Sequence, residues 1–148
     1  MEHSYHYLMM AGHTMMHKMI VKRLADTELT LGQPKILDFL YFHDGMEQKT
    51  IAKACFIEPG TLTSILNRME TQGMVQRVNK GNNRRSYYIY LTNYGRELAK
   101  KVQTAFLEEE ARVFEGISDE QRSQFLAVLE QLCTNEENLL KEDDSIGK

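Results

Sequence analysis

Over residues 61–71 two sets of side chains alternate at helical spacing. Leu62, Ile65, Leu66 and Met69 form an apolar face, and Thr61, Thr63, Ser64, Asn67 and Arg68 point elsewhere. Hydroxyl, amide and guanidinium groups along one helix can hydrogen-bond base edges and phosphates in a major groove. The plainer reading is the solvated side of an amphipathic helix. The next segment of the chain favours nucleic acid. Residues 74–78 and 86–91 are β-prone, and Asn79-Lys80-Gly81-Asn82-Asn83-Arg84-Arg85 separates them, which predicts a hairpin with a basic tip. An arginine-tipped hairpin can enter a minor groove, where the negative potential is strongest. Lys49, in the segment leading to this helix, joins the DNA-binding set.

Other reactive residues carry less. His6, His13 and His17 fall within about 40° of one another on a helix, and His13 and His17 have the i, i+4 spacing that can chelate a metal. No further ligand cluster accompanies them, so no metal is assigned. Cys55 and Cys133 stand 78 positions apart without a neighbouring cysteine, against both a disulfide framework and a CxxC zinc site. Each sits among apolar residues and reads as a buried small hydrophobe. No nucleophile or carboxylate pair has the spacing an enzyme needs, and no cofactor motif is present.

These groups need elements to position them. With 148 residues, 26% of them charged, the chain can build one domain or two small lobes sharing a core. No apolar run is long enough to span a membrane and the first residues lack a signal-peptide pattern, so a cytoplasmic protein is expected. The net charge of −3 is unevenly spread. Residues 1–30 have three basic and three acidic side chains, 31–100 ten and six, and 101–148 five and twelve. A basic middle suits a polyanion, and an acidic end suits solvent or a partner.

The periodicity predicts a first helix over about 3–25, striped by Leu8, Met9, Met15, Met16, Met19 and Ile20. A second helix is predicted over about 31–42 with Thr30 as N-cap, then a short helix over 50–55. Residues 58–60 read as a break, and Gly73 ends the helix that begins after it. Thr92 caps a long helix marked by Leu98, Val102, Phe106 and Val113. Ser118 and Gln121 form a capping box for a last helix, striped by Phe125, Val128, Leu129 and Leu132 and trailed by a polar tail from Glu142. The fold class is mainly α with a small β-hairpin wing, a winged helix-turn-helix flanked by N- and C-terminal helices.

Several ordered pieces resemble the MarR-type transcriptional regulators. Leu29-Thr30-Leu31-Gly32-Gln33 looks like that family's entry to its second helix, and Ile51-Ala52 like its Leu-Ala. Residues 69–77, Met-Glu-Thr-Gln-Gly-Met-Val-Gln-Arg, are similar to its Leu-Glu-x-x-Gly-Leu-Val-x-Arg. Leu91-Thr92-Asn93-Tyr94-Gly95 is similar to its Leu-Thr-x-x-Gly. The wing departs from the family's Asp-x-Arg, having Asn83-Arg84-Arg85. The resemblance implies a minor-groove role for Arg85, beside a phosphate contact for Arg84. Zinc-sensing members draw ligands from the second half of the chain too, and the helix after Thr92 has no histidine.

The resemblance also implies a homodimeric regulator, usually a repressor, on double-stranded DNA with a pseudo-palindromic operator. Residues 1–29 and 98–148 would dimerise and 30–97 would read DNA, with half-sites about one helical turn apart. A small aromatic or amphipathic effector would sit near His13, Met16, His17 and Phe39, among methionines that number five in residues 9–19. Two other readings remain: a winged-helix module that binds a protein, and a metal sensor using His6, His13 and His17.

Overall fold

The computed structural model describes residues 3–81 and 86–146. The described residues form six helices and three strands in the order α1 (Tyr5–Arg23), α2 (Gln33–Phe42), β1 (Met46–Glu47), α3 (Gln48–Ala54), α4 (Pro59–Thr71), β2 (Val75–Asn79), β3 (Tyr87–Leu91), α5 (Asn93–Val113) and α6 (Asp119–Ile146). This is the mostly helical winged fold with a small antiparallel sheet that the sequence implied. The chain divides into two compact units, residues 1–109 and 110–148. No described helix is long and apolar enough to cross a membrane.

In the first unit, α2 to α5 converge on one core. Ile36, Leu37 and Leu40 come from α2, Ile51 from α3, Leu62, Leu66 and Met69 from α4, and Ala99 and Val102 from α5; all are fully buried. These are the positions that helical spacing selects, and burial of such side chains supplies most of the favourable energy. The sheet has strand order β1-β3-β2, all antiparallel, with Met46 opposite Ile89 and Val75 opposite Leu91. β1 is an addition to the expected hairpin. Asp44 holds it in place, accepting the Leu91 N–H at 2.8 Å and pairing with Arg96 at 2.7 Å.

Two helix starts differ from expectation. Thr30 does not cap α2. Gly32 does, with φ of 86°, a left-handed conformation that suits glycine and leaves room for the Ile65 side chain. The Gln33 side chain folds back instead, accepting the Thr30 N–H at 3.0 Å and donating to Gln72 at 2.9 Å, which satisfies a fully buried amide. Of residues 58–60, read as a break, only Glu58 stays outside the helix, as its N-cap, because Pro59 opens α4 at a position where its missing N–H is not needed. Gly73 ends α4 as predicted: its N–H donates to the Glu70 carbonyl at 3.0 Å, and the Met74 N–H to that of Met69 at 2.9 Å.

Thr92 caps α5, accepting the Gly95 N–H at 3.0 Å on its hydroxyl. At the far end of the first unit, Arg23 of α1 donates to Glu108 and to the buried Glu109, and this pairing raises the Arg23 pKa.

In the second unit the predicted capping box forms. The Ser118 N–H donates to Gln121 at 3.1 Å, and the Gln121 N–H to the Ser118 hydroxyl at 3.2 Å. Arg122 pairs with Glu110 and lies 4.7 Å from the Phe114 ring centroid. Helix α6 runs on through the segment read as a polar tail, to Ile146. No residue of α6 is buried, and Cys133 is exposed. That overturns the buried reading of Cys133: a stripe of apolar neighbours buries a thiol only where another surface covers the stripe, and a single chain provides none there.

Candidate nucleic-acid interface

The helix-turn-helix is α3 and α4, and its outer face is the polar side of α4. Thr61, Thr63, Ser64, Asn67 and Arg68 are all exposed, while Leu62, Leu66 and Met69 are fully buried behind them. Packing of the inner face thus fixes which way the outer face looks. The hydroxyls are held by α4 itself: Thr63 donates to the Pro59 carbonyl at 3.0 Å and Ser64 to that of Gly60 at 3.3 Å.

Neighbouring elements hold the face as well. Gln48 at the start of α3 donates to the Thr63 hydroxyl at 2.8 Å. Arg68 reaches Thr30 ahead of α2 at 3.4 Å. Nothing in the spacing singled out Gln48, because its partner lies 15 residues away on another helix. Lys49 is exposed on α3 itself, with its ammonium 3.4 Å from the Glu47 carboxylate.

In the hairpin, Lys80 donates to the Tyr90 hydroxyl and lies 4.9 Å from the centroid of the Tyr88 ring, so its charge rests on the strands. Arg84 and Arg85 lie outside the described residues, as do Asn82 and Asn83.

Residues 29–87 match the MarR family. The chain is 34% identical over 113 residues to the homoprotocatechuate degradative operon repressor of Escherichia coli, a match that covers 76% of this chain and 74% of that protein. This chain belongs to the MarR family. It is also 30% identical over 98 residues to the uncharacterized HTH-type transcriptional regulator YwhA of Bacillus subtilis, covering 66% of this chain and 70% of that one. Among solved structures, the S. aureus MepR–DNA complex aligns with a TM-score of 0.80 at 29% identity, over 90% of this chain and 99% of that one. MarR-family proteins are DNA-binding transcription factors rather than enzymes. The motifs that resemble the family's fall inside the matched range except for residues 91–95.

The residues expected to line an effector site are not brought together. His13, Met16 and His17 are exposed on α1. Phe39 lines a cavity of about 380 Å³ with Lys35, Asp38, Phe42, His43, Cys55 and Phe56, a set that includes none of the three. The stripe on α1 therefore takes no part in the space that Phe39 helps to form. The described residues also contain no cluster of three or more His, Cys, Asp or Glu placed to hold a metal.

Two groups in the cavity wall are perturbed. Burial raises the Cys55 thiol pKa, with Lys35 opposing and Asp38 reinforcing the shift, the direction that disfavours a thiolate. The Cys55 Sγ lies 3.6 Å from the Lys35 carbonyl, to which it donates.

Burial likewise raises the Asp38 carboxyl, against a hydrogen bond from Gln103 that lowers it. A carboxyl whose pKa is higher folded than unfolded binds more protons in the native state. Its contribution to stability is therefore present at pH below the ordinary carboxylate range and is lost as pH rises through the raised value. Asp38→Asn keeps an oxygen for Gln103 and removes the titration. Its expected effect is a higher melting temperature than wild type at pH 7 and a shallower fall between pH 4 and pH 7. Equal melting curves across that range would show that Asp38 is solvated.

Proposed function

We propose that the chain is a homodimeric repressor that binds a pseudo-palindromic operator through α4 and the basic hairpin tip, and that a small aromatic or amphipathic molecule retunes it. The observation that carries this reading is the two-sided construction of α4: three fully buried anchors fix a face of five exposed polar side chains. Such a face supplies base-edge contacts, and arginines at the wing supply charge.

Dimerisation is supported by the apolar side chains exposed at both chain ends, among them Leu8, Met15 and Met16 on α1 and Phe125, Leu139 and Leu140 on α6. Apolar surface on that scale marks an interface. Two copies related by a two-fold axis would present two α4 helices to successive major grooves. The effector reading is supported by the aromatic surface that Phe39, Phe42, His43 and Phe56 form, a hollow open to solvent. A ligand that favours one spacing of the two reading heads shifts the population between binding and non-binding forms, by about 1–3 kcal/mol in typical cases.

The test is a salt titration of binding to random duplex and to a duplex selected from a random pool. Wild type is expected to retain random DNA at low salt and to lose affinity steeply as salt rises. Arg85→Ala should weaken both duplexes alike and reduce the salt slope by about 1. A wild-type protein that binds neither duplex at low salt, or a monomer at micromolar concentration, would sink the proposal.

A further inference from the structure

Arg77 in β2 joins the hairpin to α4 through two contacts and meets β3 through a third. Its Nη2 donates to the backbone carbonyl of Thr63 at 3.2 Å. Its backbone N–H, on an edge of the sheet, donates to Glu70 Oε2 at 3.2 Å. Its guanidinium carbon lies 6.0 Å from the centroid of the Tyr87 ring on β3. One more feature stands out: the Arg77 Nε–H is buried and has no hydrogen-bond partner among the described residues.

We infer that Arg77 is a positioning residue for DNA reading, a clamp that fixes the spacing between the recognition helix and the wing. The inference rests on the DNA-reading function proposed above. A residue whose task was to hold a phosphate would keep its donors open to solvent, whereas here one donor is spent on α4 and another is buried. What the guanidinium does, and an apolar side chain does not, is bind a carbonyl of α4 while facing a ring of β3. Thr63, whose carbonyl it holds, belongs to the polar face of α4. The clamp therefore acts on the reading surface itself. Lysine keeps the charge but is a point donor without a planar fork, so it loses the double engagement.

The experiment compares wild type, Arg77→Lys and Arg77→Met for affinity to the selected duplex and to random duplex across a salt series, with thermal melting alongside. The expected result for Arg77→Lys is an operator-to-random ratio about tenfold lower, with random-duplex affinity within twofold of wild type, an unchanged salt slope and little change in melting. Arg77→Met should lower the ratio at least as far. An unchanged ratio in Arg77→Lys overturns the clamp. Parallel losses on both duplexes with a smaller salt slope in Arg77→Met, rescued by lysine, overturn it in favour of a phosphate contact.

Should the Arg77 variants not fold, Glu70→Ala removes the other half of the clamp at an exposed site. Its ratio should fall about threefold, and no fall overturns the inference. A wild-type protein that shows no duplex binding instead removes the proposed function on which the clamp depends. A wild type that discriminates, beside an Arg77→Lys that discriminates equally, removes the clamp alone.

Discussion

Asn67→Ala combined with Arg68→Ala should lower operator affinity by roughly a hundredfold or more while leaving the melting temperature almost unchanged. Both side chains are exposed on α4, on the side opposite Leu62, Leu66 and Met69. Neither contributes to the core, and the bond that Arg68 makes to another element, at Thr30, is long at 3.4 Å. Exposed substitutions of this kind usually move stability by under about 0.5 kcal/mol. In a groove, by contrast, an arginine or asparagine that pairs with a base edge contributes about 1–3 kcal/mol, and about 1.4 kcal/mol is tenfold in affinity. The measurement is a competition titration of the double variant against the selected duplex, with random duplex as reference. Random-duplex affinity should fall by much less, reflecting the loss of one charge. Equal losses on the two duplexes would show that α4 holds the backbone without reading it, and no loss would place the reading surface elsewhere.

The second large effect concerns the frame. Gly95→Ala should destabilise the chain by about 3 kcal/mol or more and lower its melting temperature by about 10 °C. A Cβ built at Gly95 lies 1.9 Å from the Met74 carbonyl oxygen, inside any permitted contact. The collision is with backbone, which cannot rotate aside as a side chain would. Met74 is also held in place, because the Thr92 N–H donates to its carbonyl at 3.1 Å and the Thr92 hydroxyl to the adjacent Gly73 carbonyl at 2.5 Å. Relief requires α5 to move away from the start of β2, which breaks the Thr92 cap and opens the core at Leu98 and Val102. Melting within about 2 °C of wild type would show that α5 shifts freely at this point.

That clash gives a physical reason for the Leu-Thr-x-x-Gly run read from residues 91–95. The threonine caps α5 and grips the preceding strand, and the glycine lets the helix press against it. Other parts of the sequence were legible for a simpler reason. The anchors of α2 and α4 recur at three- and four-residue steps, so a single helix reveals them. The Ser118–Gln121 box is equally local.

What escaped was set by distant partners. β1 has two residues and exists because β3 offers it an edge, so no local pattern announces it. Thr30 has the residue type of a cap, but the Gln33 amide occupies its N–H and Gly32 makes the turn. Cys133 escaped because a helical stripe shows which face is apolar without showing what covers it. The expected effector residues also lie apart in the single chain: His13, Met16 and His17 share an exposed face of α1, and sharing a face does not bring them to Phe39. Gln48, Glu70 and Arg77 act through contacts 7 to 15 residues away, and only the last two lie in a motif that the sequence displays.

The hydroxyls of Thr63 and Ser64 are tethered to carbonyls four residues earlier in α4. Each has thereby committed its single hydrogen to the helix that carries it. While those tethers last, the oxygens can offer the groove only lone pairs, which match the exocyclic amino groups of adenine and cytosine and oppose the keto oxygens of guanine and thymine. In the docking proposed for α4, that would favour one half of the nucleobase alphabet at these two positions.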